Sequence, residues 1–228
     1  MDTIFNFGDP HKDFAPIAGK ILRDYSVGSI PITNNRLFYN GSLQIVDACY
    51  GFGMVWDSLS MMRKQGLLKK GSNVIFLGSM GSLIPNIALD DLVVPTEVHY
   101  IDTNKKPDII VPDQLLLGEL KNALRNSDHR FITYEHGSVR AVFDPTIDHR
   151  TYTEKRYKDS VQGIDCSESY AGLKFCEKNK LYGVVLLYCS DSPTDKIFDI
   201  PKEEFDKRAL QRDMDMHHIA SKVLQRIS

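Results

Sequence analysis

The stretch that decides the fold is NVIFLGSMGSLIPNIALDDLVVP, residues 73–95. It begins with an unbroken apolar run, residues 74–77, which is typical of a strand that is buried on both faces of a sheet. Gly78 and Gly81 follow, and because glycine tolerates positive φ and lets a ligand approach the backbone, the strand is predicted to break into a glycine turn. A second apolar run predicts another strand, in which Pro95 indicates an edge or a bulge.

Strands and helices are predicted to alternate on both sides of this stretch. Helices are predicted over residues 11–25, 54–68, 112–127, 167–181 and 202–227, and strands over residues 36–50 (a hairpin around Asn40–Gly41), 90–101, 129–143 and 183–189. Residues 144–162 show no clear period, so a loop with a short helix is predicted there. This order favours an α/β fold in which helices cover both faces of a sheet. Since no linker or repeat interrupts the chain, we expect one domain over residues 1–228.

Composition restricts the classes of function. The chain has 228 residues and a formal net charge of −2, so it lacks the basic excess of a protein that binds nucleic acid. No segment approaches the roughly 18 apolar residues of a membrane span, and the N-terminus does not have the pattern of a signal peptide. The four cysteines are scattered without zinc-like spacing, which predicts reduced thiols, no metal and a cytoplasmic location.

Several polar residues follow strands or begin helices, where ligands bind in α/β folds. Asp191 stands at the end of the apolar strand predicted over residues 183–189, and Asp165 and Glu168 stand at the start of a helix. Each piece also has a purely structural explanation: Asp165 and Ser167 suit helix capping and compensation of the helix dipole, and the glycines at 78 and 81 suit a tight turn. From the residues alone, both interpretations remain open.

Taken together and in order, five segments resemble the nucleoside phosphorylase family, which includes purine nucleoside phosphorylases, uridine phosphorylases and methylthioadenosine nucleosidases. The segments are GDPHK (8–12), YNG with YGFGM (39–54), LGSMGSLIPNIALDDLVVP (77–95), DCSESYAG (165–172) and CSDSP (189–193). The resemblance implies a three-layer αβα sandwich with a central mixed, partly barrel-like sheet. It also implies an enzyme that cleaves N-glycosidic bonds in a homodimer or higher homo-oligomer.

The resemblance also implies roles for individual residues. The phosphate or anion site would comprise Gly8, Lys12, Gly78 and Ser79; the sugar site Glu168, Ser167 and Met54; and the base site Phe143 and Asp191. Asp191 would be the catalytic acid that protonates or hydrogen-bonds N7 of a departing purine. Such a proton eases the departure of the base from an oxocarbenium-like transition state and is typically worth about 10²–10⁴ in rate.

Three departures from the family pattern bear on the reaction. Phe76 stands where phosphorylases carry a phosphate-binding arginine, Lys12 stands where nucleosidases carry a glutamate, and Ser167 replaces a methionine. The main expectation is a phosphorylase that uses nucleoside and inorganic phosphate, with no other cofactor. The alternatives are a nucleosidase that uses water and a non-catalytic nucleoside-binding relative.

Overall fold

The computed structural model describes residues 1–7, 14–30, 35–49, 51–101, 106, 108–139, 155, 157–193 and 200–227. The strands are β1 (Asp2–Phe7), β2 (Ser26–Ile30), β3 (Asn35–Tyr39), β4 (Leu43–Cys49), β5 (Asn73–Ser82), β6 (Leu92–Ile101), β7 (Asp108–Ile110), β8 (Phe131–Val139), β9 (Gly163–Asp165) and β10 (Tyr182–Asp191). The helices are α1 (Ala15–Leu22), α2 (Gly51–Lys64), α3 (Gln114–Arg125), α4 (Glu168–Asn179) and α5 (Lys202–Ile227). None of these helices is both long and apolar enough to cross a membrane.

The ten strands form one mixed sheet with β5 at its centre. One part is open: β5 pairs with β1, and β4, β3 and β2 continue outwards from β1. The other part closes into a ring, because β5 also pairs with β10 and β9, and β6 and β8 complete the circuit between them. The predicted mixed, partly barrel-like sheet is therefore confirmed.

Helices cover both faces of the sheet, as predicted. α2 and α4 pack together on the face where Val74 and Phe76 point, and α1, α3 and α5 lie on the face where Ile75 and Leu77 point. These four residues alternate along β5, and all of them are buried. The strand thus contributes to two apolar cores, which explains its unbroken apolar run.

The glycine turn predicted at residues 78–81 was wrong, because β5 continues to Ser82. Two neighbours hold its last residues in extended form: β10 pairs with it as far as Gly81, and β9 pairs with Gly81 and Ser82. The bulge predicted at Pro95 is confirmed, since the register between β6 and β8 shifts between Pro95 and Glu97.

Candidate active site

Glu168 is the first residue of α4, and its carboxylate turns inwards. The side chain is only 5% exposed, and Oε1 accepts a hydrogen bond from the backbone N–H of Gly51 at 2.7 Å. Gly51 begins α2 with a φ of +72°, a conformation that suits glycine. The two helices that cover this face of the sheet therefore meet at Glu168.

The surroundings of Glu168 favour its protonated form. Its pKa is raised to about 7, first by burial and second by repulsion from Asp165. Hydrogen bonds from the backbone N–H groups of Gly51, Cys166 and Glu168 itself partly offset this rise. The carboxyl group therefore changes charge near neutral pH, which is common for groups at functional sites.

Asp191 ends β10, as predicted from the apolar run before it. Its Oδ1 accepts a hydrogen bond from the Ser190 hydroxyl at 3.1 Å, and that hydroxyl lies the same distance from the Met80 carbonyl oxygen. Its Oδ2 lies directly above Gly81, where a Cβ atom would stand only 2.8 Å from it. Gly81 is thus needed for close packing against the carboxylate, rather than for a turn.

Cys166 lies near both Glu168 and Asp191. Its thiol is close enough to Glu168, Asp165 and Asp191 for all three carboxylates to repel a thiolate, and together with the larger effect of desolvation they raise its pKa to about 12. The residue as a whole is exposed. Glu168 and Asp191, which the sequence analysis assigned to sugar and base, therefore lie near the same exposed residue.

A buried polar network behind Glu168 was missed by the sequence analysis. Tyr134, His136 and Ser138 alternate along β8; the Tyr134 hydroxyl contacts His136 Nδ1, and both His136 and Ser138 contact Asp165. The only signal in the sequence was that Tyr134, His136 and Ser138 occupy every second position of the segment YEHGS and therefore point to the same face of the strand. Asp165, expected to cap the helix, does so: it accepts hydrogen bonds from the N–H groups of Ser167 and Ser169.

The other two residues assigned to the sugar have different surroundings. Ser167 is buried and donates its hydroxyl hydrogen bond to the Val139 carbonyl oxygen at 2.8 Å. Met54 is 42% exposed in the first turn of α2, close in sequence to the Gly51 amide that Glu168 binds. Both sugar-binding roles stay predictions.

A cluster of aromatic rings lies at the N-terminal ends of α2 and α4. Phe52 stacks on Trp56 with ring centroids 5.8 Å apart, and the Tyr170 ring of α4 stacks on Tyr100 at 4.6 Å. Phe52 also lies 6.3 Å from the Tyr170 ring. Stacked rings with one exposed member offer a flat apolar surface of the kind that binds a planar base.

The described residues of the predicted anion site face other groups. The Phe7 side chain packs directly against Gly78, where a Cβ atom would stand 2.9 Å from the Phe7 Cβ. Ser79 is paired with Tyr188 of β10, so their side chains share a face of the sheet, and the Tyr188 ring centroid lies 3.4 Å from the Arg212 guanidinium carbon. Because Arg212 belongs to α5, the Ser79 hydroxyl points to the face opposite α4.

Phe76 lies in an apolar environment, at the place where phosphorylases carry an arginine. It is fully buried, and its ring stacks on the Phe7 ring with centroids 5.2 Å apart and planes 12° apart. Its ring also packs against Gly172 of α4, where a Cβ atom would come within 2.8 Å of it. Aromatic packing thus occupies this position.

Three predicted site residues, Gly8, Lys12 and Phe143, lie outside the described residues. The prediction that the protein needs no metal also remains a prediction. Within the described ranges, one group has metal-ligand donors within 4.8 Å of one another, namely Glu97, His99 and Glu135 on β6 and β8. It shares no residue with the group formed by Cys166, Glu168 and Asp191, and His99 Nε2 lies 2.8 Å from a Glu97 carboxylate oxygen.

Comparison with known proteins gives a fold but no close relative. No family model and no curated protein matches the chain. Among solved structures, the 5'-methylthioadenosine/S-adenosyl homocysteine nucleosidase of Campylobacter jejuni is similar with a TM-score of 0.76 and 13% identity, over 99% of both chains. A futalosine hydrolase mutant of Helicobacter pylori strain 26695 is similar with a TM-score of 0.74 and 14% identity, over 99% of this chain and all of the other.

A third solved structure is the 5'-methylthioadenosine/S-adenosylhomocysteine nucleosidase of Neisseria meningitidis in complex with methylthio-immucillin-A. It has a TM-score of 0.71 and 16% identity, over 98% of this chain and 99% of the other. All three structures share this fold over almost the whole chain, so the α/β fold that the sequence motifs predicted is confirmed.

Proposed function

We propose that this protein is a nucleosidase, an enzyme that hydrolyses the N-glycosidic bond of a purine-type nucleoside. The observation that carries the proposal is that Glu168, at the start of α4, and Asp191, at the end of β10, both lie near enough to the Cys166 thiol to repel its thiolate form. A carboxylate that accepts hydrogen bonds from sugar hydroxyls and an acid that reaches the base are the two groups that such a cleavage needs. The similarity in fold to nucleosidases supports the same conclusion.

Water is the nucleophile that the surroundings favour. The packing of Phe76 between Phe7 and Gly172 provides no charge for an anion at that position, and Phe7 covers the backbone of Gly78. A phosphate ion that loses its hydration needs charged or well-aligned hydrogen-bond partners. Among the described residues assigned to phosphate, Ser79 lies on the opposite face of the sheet, beside Tyr188. Phosphorolysis, our main expectation from the sequence, therefore has less support than hydrolysis.

In the proposed reaction, each acid acts on a different part of the substrate. Ionised Glu168 accepts hydrogen bonds from the sugar hydroxyls and so holds the anomeric carbon in place. Asp191 donates a proton or a hydrogen bond to N7 as the bond between the anomeric carbon and the base breaks. The oxygen of water then bonds to the anomeric carbon, the proton that this water releases is returned to Asp191 through solvent, and the products are free base and pentose.

The deciding experiment measures release of free base with and without phosphate. A panel of purine and pyrimidine nucleosides and nucleotides is incubated with the protein, and free base and free pentose are quantified. We expect purine release at the same rate in both conditions, with free pentose as the second product. Release that requires phosphate and yields pentose 1-phosphate would instead establish phosphorolysis, and binding without any release would establish a non-catalytic relative.

The role of Asp191 is tested by Asp191→Asn. We expect this variant to keep its fold and to lose roughly 10²–10⁴ of the wild-type rate on purine nucleosides. Asp57→Asn on the exposed side of α2 is the matched control and should keep full activity. Equal turnover by Asp191→Asn and wild type would remove the proposed acid role.

We also propose that the protein forms a homodimer or a higher homo-oligomer. Phe52 and Met54 support this, because they are 38% and 42% exposed in the first turn of α2, and a second copy would cover this apolar surface. Light scattering measures the mass directly. Met54→Lys should shift the protein towards monomer, and a wild-type protein that is monomeric at micromolar concentration would refute the proposal.

A further inference from the structure

Asp165 holds the backbone on both sides of Glu168. Its Oδ1 accepts a hydrogen bond from the Ser167 N–H at 3.0 Å, and its Oδ2 accepts one from the Ser169 N–H at 2.9 Å. Ser167 has a φ of +80°, a left-handed conformation that is unfavourable for a residue other than glycine, typically by about 1 kcal/mol or more. Such a conformation persists only where its surroundings hold it, and here Asp165 does so.

Asp165 is itself held by β8. The Ser138 hydroxyl donates a hydrogen bond to Oδ1 at 2.6 Å, and His136 Nε2 lies 3.2 Å from Oδ2. His136 is fully buried, and its other ring nitrogen contacts the Tyr134 hydroxyl. The contacts therefore run from a strand of the ring, through Asp165, to the first turn of α4.

We propose that Asp165, held in place by His136 and Ser138, is the positioning residue for Glu168. It fixes the turn from which the Glu168 side chain leaves the backbone, so that the carboxylate reaches the Gly51 amide. This inference rests on the proposed function, since the position of Glu168 affects catalysis only if Glu168 binds the substrate.

The charge of Asp165 also acts on Glu168. Burial alone would raise the pKa of Asp165, but attraction to His136 and hydrogen bonds from Ser138 and Ser169 bring it below its ordinary value, so Asp165 is an anion. That anion is the second cause, after burial, of the raised pKa of Glu168. Asp165 thus affects both the direction and the ionisation of the Glu168 carboxyl.

Other groups near Glu168 are accounted for element by element. α2 offers the Gly51 amide, β10 ends in Asp191, which also lies near Cys166, and β8 supplies the His136 side chain next to Asp165 and the Tyr134 side chain next to His136. Among these, the Asp165 carboxylate is the charged side chain that contributes most to the raised pKa of Glu168.

The test compares Asp165→Asn with Asp113→Asn. Asp113 is a suitable control because it also caps a helix, accepting a hydrogen bond from the Leu116 N–H at 3.0 Å, but that helix is α3 on the other face. The first readout is the titration of Glu168 in ligand-free protein, followed by NMR of ¹³C-labelled glutamate carboxyls and assigned with Glu168→Gln. The second is the KM and kcat for a purine nucleoside.

In Asp165→Asn, we expect the midpoint of the Glu168 titration to fall by about one pH unit, because a neighbouring negative charge is removed. We also expect KM to rise or kcat to fall by roughly 10–100-fold, because the carboxylate is misplaced. Asp113→Asn should change neither readout. An unmoved midpoint with unchanged kinetics in Asp165→Asn, or equal changes in the control, would overturn the inference.

Two safeguards keep the test decisive. If Asp165→Asn does not fold, Ser138→Ala removes one hydrogen bond to Asp165 without changing a charge, and a KM that stays within twofold of wild type would overturn the positioning role. If the wild-type protein cleaves no nucleoside, the proposed function fails, but the titration of Glu168 needs no substrate. Its result still decides whether Asp165 controls that carboxyl.

Discussion

The gain in stability of Glu168→Gln over wild type should be larger at pH 8 than at pH 5. The substitution keeps the size of the side chain and an oxygen that can accept the hydrogen bond from the Gly51 N–H, but it removes the ionisable group. Any difference in pH dependence between the two proteins then reports the ionisation of Glu168.

The magnitude follows from the two pKa values. In the unfolded chain Glu168 loses its proton near its ordinary pKa of 4.5, whereas in the folded protein it keeps the proton until about pH 7. Between these values the folded state binds more protons than the unfolded state, so the free energy of unfolding of the wild type falls as pH rises. The whole gap corresponds to roughly 3 kcal/mol, and the part between pH 5 and pH 8 to roughly 2–3 kcal/mol.

Urea unfolding at pH 5, 6, 7 and 8 measures this directly, with Glu177→Gln as the control. Glu177 is exposed on the same helix and pairs with Lys174, so its variant should differ from wild type by less than about 1 kcal/mol at every pH. For Glu168→Gln, the gain over wild type should grow between pH 5 and pH 7 and then level off. A difference that is constant over the whole range would refute the argument that Glu168 is buried with a raised pKa.

Three further predictions concern Gly81, Cys166 and Phe76. Gly81→Ala should lower turnover by about 10²-fold with little effect on the fold, because the added methyl group displaces the Asp191 carboxylate; steady-state kinetics and circular dichroism check this. Cys166 should react with iodoacetamide at pH 8 far more slowly than a free thiol, because its pKa of about 12 leaves little thiolate. Mass spectrometry measures the alkylation rate, which should be faster in Glu168→Gln. A wild-type rate equal to that of glutathione would contradict the raised pKa of Cys166. Phe76→Arg should lower the free energy of unfolding by about 3 kcal/mol or more without making turnover depend on phosphate, because the charge would be buried among aromatic rings; urea unfolding and the base-release assay test both parts.

The sequence predicted the parts of the fold that have strong local patterns. The apolar runs of β5 and β10 identified two central strands, and the polar residue at the end of β10 identified Asp191. The three-residue strand β9 carries too short a pattern to be recognised, and its pairing with β5 is what extends that strand beyond the glycines. Long-range pairing of this kind overrides local turn signals.

The candidate site was predicted in the same uneven way. Glu168 and Asp191 were assigned by motif, and the structure places both near Cys166. The buried Tyr134–His136–Asp165 contacts could not be predicted, because residues on β8 and β9 that are far apart in sequence meet only when the ring closes. The direction of the Ser79 hydroxyl was missed because it depends on the strand alternation past Gly78, where a turn was expected.

The position of β10 has a consequence for how the protein is made. Val74 of β5 pairs with Gly183 of β10, so a further 109 residues must leave the ribosome after Val74 before these two partners can meet. Pairings at such separation form late and slowly, and until then an apolar edge of β5 is exposed and prone to association with other nascent chains. Since Asp191 is the last residue of β10, the same late event that protects this edge also brings Asp191 into the candidate active site.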